Sequence, residues 1–91
     1  MRNGKVKDIT SNFVAGILNQ SYSGCNVSIR NGVFHSYEMP LAYRVGGVIV
    51  MRPYEDCPSM TTKRHWNGLY RLANMSTINV TIRDDWSMKV S

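Results

Sequence analysis

Cys25, His35, Cys57 and His65 are the side chains whose types could ligate zinc or, as a Cys–His couple, activate a nucleophile. Their spacing contains neither a C-x-x-C nor an H-x-x-x-H pair and matches no zinc pattern. Two packed thiols and two ordinary histidines account for them, so no metal and no cofactor is expected. Cys57 with His65 is the one thiolate–base couple the chain suggests, and a semi-buried thiol is its plainer explanation. The acid pairs Glu55-Asp56 and Asp84-Asp85 stand in turn-like contexts, where carboxylates solvate loops or cap helices. The sequence has no glycine-rich phosphate loop and no acid-rich nuclease constellation. The chain is not expected to be an enzyme.

A different chemistry is suggested by Met60-Thr-Thr-Lys-Arg-His-Trp66. If Thr61 or Thr62 caps a helix, then Lys63, Arg64 and His65 fall in its first turn. That end carries partial positive charge, so each cation there costs ~0.3–1 kcal/mol. Local rules broken in this way concentrate at functional surfaces. A helix start with unpaired N–H groups, hydroxyls and two cations could hold a phosphate or carboxylate. The competing expectation is that Glu55 or Asp56 folds back onto the cations while Trp66 serves as core. Phe34, Tyr37, Tyr43 and Tyr54 with Arg44 and Arg52 form a second candidate, a stacking surface for unpaired bases. Strand alternation makes Tyr37 and Tyr43 half-buried core members on the plainer account.

The elements that position these residues follow from periodicity. Ile9, Phe13, Val14, Ile17 and Leu18 recur at helical spacing, predicting a helix over 9–20 that Asp8, Thr10 or Ser11 could cap. Gly16 lies inside that span and weakens it. Asn31-Gly32 between Val27-Ile29 and the alternating run Val33–Tyr37 is the signal of a type I′ hairpin. Gly46-Gly47 repeats the device between Leu41–Val45 and Val48–Arg52, and Pro40 suits a strand start. Trp66, Leu69, Tyr70 and Ala73 mark a second helix, and Ile78, Val80 and Ile82 a fifth strand. Trp86 and Met88 could pack a short tail back onto the domain. The expected fold is α+β, a mostly antiparallel sheet of about five strands with two helices on one face, in the order α-β-β-β-β-α-β.

Composition bounds the rest. Ninety-one residues, 43% of them apolar, make a single domain over 1–91 with a small core. The net charge of +5 arises from eleven cations, seven of them arginine, against six acids. Arginine is the better residue for bidentate carboxylate and phosphate contacts. The arginines are scattered, so charge alone leaves nucleic acid, anionic membrane and acidic protein open as partners. No run approaches the ~20 apolar residues of a membrane span. Two cysteines are too few for a disulfide framework, and Met1–Lys7 is too polar for a signal peptide. These features predict an intracellular protein with reduced thiols, and an exposed edge strand would allow a homodimer.

Ser-Tyr-Glu-Met-Pro-Leu-Ala-Tyr-Arg, starting at Ser36, and Ser-Met-Thr-Thr-Lys-Arg-His-Trp, starting at Ser59, resemble elements of small phage-encoded proteins of unassigned function. Those proteins pair a Ser-Tyr-x-Thr-Pro-Ile/Leu-Ala element with a downstream Thr-Thr-x-x-His element. Tyr37, Pro40, Leu41, Ala42, Thr61, Thr62 and His65 match the pattern, and Met39 departs from it where the family has threonine. The resemblance implies a viral or mobile-element origin and supplies no reaction; the expected location is the host cytoplasm. By analogy it implies a phage accessory protein that binds and inhibits a host or defence protein, such as a CRISPR effector, by occupying a surface. Lys63, Arg64, His65 and Trp66, with the loop Tyr54–Pro58, are the expected contacts. The alternative is a nucleic-acid-binding module using Arg44, Arg52, Lys63, Arg64 and Arg71.

Overall fold

The first helix is set by its glycine. A computed structural model describes residues 2–21 and 25–84, with side chains from residue 5 onward. Helix α1 (Arg2–Ala15) aligns Val6, Ile9, Thr10, Phe13 and Val14 on the stripe that meets the core. It ends where Gly16 turns to φ 108°. The Gly16 N–H donates to the Phe13 carbonyl at 3.1 Å and the Ile17 N–H to the Asn12 carbonyl at 2.9 Å, a Schellman closure. The expected span of 9–20 is therefore corrected at both ends. Gly16 terminates the helix, and Ile17 and Leu18 lie beyond it, exposed. Gln20 then pairs with Ile29 at the margin of the sheet.

Strands β1 (Val27–Arg30), β2 (Val33–Ser36), β3 (Met39–Val45) and β4 (Val48–Met51) form an antiparallel meander. A single turn of 3₁₀ helix (Tyr54–Asp56) and helix α2 (Met60–Met75) then carry the chain to β5 (Asn79–Ile82), which lies parallel to β4 at the sheet edge. The fold is α+β, as the order of patterns predicts. Asn31 and Gly32 adopt φ 53° and 77°, the geometry that makes Asn-Gly a hairpin turn. The expected packing tail at Trp86 and Met88 lies outside the described residues.

Two irregularities place the site. Strand β2 stops at Ser36, and Tyr37 takes φ 58° in the turn instead of continuing the strand. Tyr37 is exposed there, not the core member that alternation implies. Phe34 pairs with Ala42 but His35 with Pro40, which leaves Leu41 as an extra residue in β3. Leu41 and Ala42, though consecutive, are therefore both buried. Val27, Ile29, Phe34 and Ser36 face the helices, so Ser36 is carried into the core on the strand's inner side.

Helix α2 begins at Ser59, whose hydroxyl accepts from the Thr62 N–H at 3.2 Å. Thr61 and Thr62 are thus not the cap, as expected, but the second and third residues of the first turn. At the far end Thr77 takes φ 57° and closes a second Schellman motif, with the Ile78 N–H on the Ala73 carbonyl at 3.0 Å. A β-branched residue is strained in that conformation by ~1–2 kcal/mol, where glycine is at ease. Thr77→Gly is expected to stabilise the protein by ~0.5–1 kcal/mol, the larger unfolded-state entropy of glycine offsetting part of the gain. A thermal melt should show this as a rise of ~2–8 °C.

Candidate functional site

Ser36 joins the two helices' side of the sheet to α2 through a chain of hydroxyls. Its Oγ lies 2.7 Å from Nδ1 of His65 and 3.2 Å from the Thr62 hydroxyl. Thr62 in turn accepts from the Ser59 hydroxyl at 3.2 Å. Ser36 is 0% and Thr62 2% exposed, so both hydroxyls depend on these partners. A hydroxyl can donate or accept, so the chain Ser59–Thr62–Ser36–His65 can run in either direction and suit either tautomer of the ring. With Nδ1 bare, Ser36 donates to the ring and Nε2 carries the proton. Nδ1 is engaged in both cases, so Nε2 is the edge that His65 offers to the groove it lines. The ring of Tyr37 stands beside it, at 6.3 Å between centroids.

Burial lowers the His65 pKa below its ordinary 6.5, and burial with the Arg30 charge does the same for His35. The unfolded chain therefore takes the proton first as pH falls. Stability is full above 6.5, declines from there to the folded pKa, and levels below it. The melting temperature is expected to fall as the pH drops below 6.5, and His65→Gln to flatten part of that slope, leaving the part owed to His35.

The cations the sequence groups together are separated by α2. Lys63 stands over the Tyr54 ring at 5.5 Å, on the side where Trp66 meets Tyr54 edge-on at 5.4 Å and stacks on Tyr70 at 5.1 Å. Trp66 is 8% exposed and donates its indole N–H to the Arg52 carbonyl at 2.7 Å. It is core, and its expected place as a contact residue is corrected. Because Ser59 is the cap, Lys63 follows the open first turn and its own N–H already bonds the Ser59 carbonyl at 3.0 Å. The expected clash with the helix dipole is correspondingly weaker.

Arg44 and Arg52 turn inward. The Arg44 guanidinium donates to the Phe13 and Val14 carbonyls, holding the C-terminal turn of α1, where a cation is favourable. Arg52 donates to the Pro40 carbonyl at 2.7 Å and to Asp56 at 3.4 Å. Asp56 is thus engaged by Arg52, and among the described residues no carboxylate forms an ion pair with Lys63 or Arg64. The base-stacking surface also dissolves: Phe34 is buried, and Arg44 and Arg52 serve the scaffold.

Arg64, next along the helix and ~100° round it, opens on a different face into a groove of about 1100 Å³ between α1 and α2. His65, Gly68 and Arg71 line it from α2, and Val6, Lys7 and Asp8 from α1. Cys25 and Asn26 contribute at one end. Lys7, Arg64 and Arg71 have no ion-pair partner among the described residues, so three cations face one acid there. Arg71 is among the residues expected from the sequence, and Gly68 stands at i+4 from Arg64 on the same helix face, whereas Lys7 carries no local signal. Cys57 is buried, its thiol pushed up by desolvation, and makes no hydrogen bond to His65 among the described residues. The same residues contain no cluster of three or more metal-ligating side chains and no helix long and apolar enough to cross a membrane.

Comparison with protein-family models, curated proteins and solved structures finds no match. The site is therefore read from its own chemistry.

Proposed function

We propose that this chain is a non-catalytic binding protein, a phage accessory domain that occupies a surface of a host or defence protein in the host cytoplasm and so inhibits it. A CRISPR effector is one such target. The observation that carries the reading is the row Arg64, Arg71 and Lys7 along the α1–α2 groove, unneutralised among the described residues while Glu38 and Asp56 pair with Arg30 and Arg52. Like charges held close together destabilise a compact fold, and an acidic partner surface would relieve them. The resemblance of the Ser36–Arg44 and Ser59–Trp66 segments to small phage-encoded proteins supports the viral origin and the class of target. Ser36 of the first segment hydrogen-bonds both Thr62 and His65 of the second.

Nucleic acid is the rival partner, and the inward-turned Arg44 and Arg52 take away two of the five cations it would use. Affinity capture from host lysate, with and without nuclease, separates the two. A protein should co-purify in both samples. Retention of nucleic acid alone, with an affinity that falls steeply with salt, would replace this reading with the rival. Capture of neither would remove both.

A further inference from the structure

Gly68 is a helix-interior glycine that internal packing does not explain. A Cβ built there meets nothing within 4 Å among the described residues, and the backbone is not in the left-handed region that would require glycine. Glycine in that place costs ~1 kcal/mol of helix stability relative to alanine. It lies midway along the groove-lining face of α2, which runs from Thr61 through Arg64, Gly68 and Arg71 to Met75. Fourteen residue steps of helix make that face ~21 Å long. Absent a side chain at its centre, another backbone can approach α2 closely.

We infer that the α1–α2 groove seats an acidic amphipathic helix of the partner, which crosses α2 at Gly68, rests its apolar side on Val6, Leu72 and Met75, and turns its carboxylates toward Arg64, Arg71 and Lys7. The inference rests on the reading of the protein as a binder of an acidic protein surface, and it names the segment bound. Charge complementarity selects the acidic side, since three cations and one acid line the groove among the described residues. Met75 is 73% exposed, and a thioether adapts its shape to an incoming apolar face. Both long walls are helices whose backbone groups bond within themselves, so an extended segment would find no ladder partners there. A helix satisfies its own backbone and needs only side-chain contacts. His65 adds a neutral donor at Nε2 when Ser36 donates to Nδ1.

The test is a ¹H–¹⁵N NMR titration of the full chain with a synthetic helix of about 14 residues carrying glutamate on one face and leucine on the other. Saturable shifts with a Kd below ~1 mM are expected at the amides of Arg64, His65, Gly68 and Arg71. Gly68→Leu is expected to melt no lower than the parent and to weaken the peptide at least ~10-fold, because leucine favours helix but fills the crossing point. Arg71→Glu gives a second variant, with the same expected loss of binding. The inference is overturned by the absence of saturation, by shifts centred on the sheet, or by a Gly68→Leu protein that binds as the parent does. A lysine-for-glutamate peptide that binds equally well overturns it too. Loss of peptide binding with a captured protein intact removes only the groove assignment, whereas peptide binding with no captured protein removes the inhibitor reading.

Discussion

Trp66→Ala is expected to cost ~3–5 kcal/mol, the range for removing a large aromatic from a packed core. A chain of this length has a total of roughly 5–14 kcal/mol, so the variant loses about a fifth of its stability or more. The reason is local. The indole fills the space between α2 and the Tyr54–Asp56 turn, contacting Tyr54 and Tyr70, and its N–H is the partner of the Arg52 carbonyl. Trp66→Phe should retain most of the ring contacts and lose ~1–2 kcal/mol, mainly through the carbonyl left unpaired. Urea denaturation followed by circular dichroism measures both. A Trp66→Ala protein that unfolds like the parent but no longer captures a partner would make Trp66 a surface anchor and overturn its assignment to the core.

Arg64→Glu combined with Arg71→Glu is expected to weaken partner capture by at least ~100-fold, since it turns two attractions into two like-charge contacts. Stability should stay within ~0.5 kcal/mol of the parent, because neither guanidinium has a bonded partner among the described residues and both are exposed. Arg44→Glu provides the contrast. That guanidinium holds the last carbonyls of α1, so its reversal should lower the melting temperature and affect capture only through folding. A double variant that melts early would place Arg64 or Arg71 in the scaffold.

The fold was legible wherever it follows from local chemistry. Asn31-Gly32 announces its turn, alternation marks the strands, and the stripe from Trp66 to Ala73 marks α2. The misreadings have physical causes. Gly16 reads as a poor interior residue, yet a glycine just past the apolar pair Phe13-Val14 is equally a C-terminal cap. Only the hydrogen bonds from Gly16 and Ile17 decide between the two. Ser36 is one of several serines until a bulge at Leu41 and a turn at Tyr37 place it against His65, 29 residues away. Arg44 meets α1 across 30 residues and so looks like a surface cation in the sequence. Lys63 and Arg64 are adjacent in sequence but ~100° apart around a helix, which is why one meets Tyr54 and the other the groove.

That separation sets the groove apart from the Tyr54 side, and the yield of the captured protein from nuclease-treated lysate, with Lys63→Glu and Arg64→Glu compared side by side, tells which of the two binds. Arg64→Glu is expected to lose most of the captured protein and Lys63→Glu to retain it. Equal loss from both variants, or loss confined to Lys63→Glu, would contradict the placement of the binding surface in the α1–α2 groove.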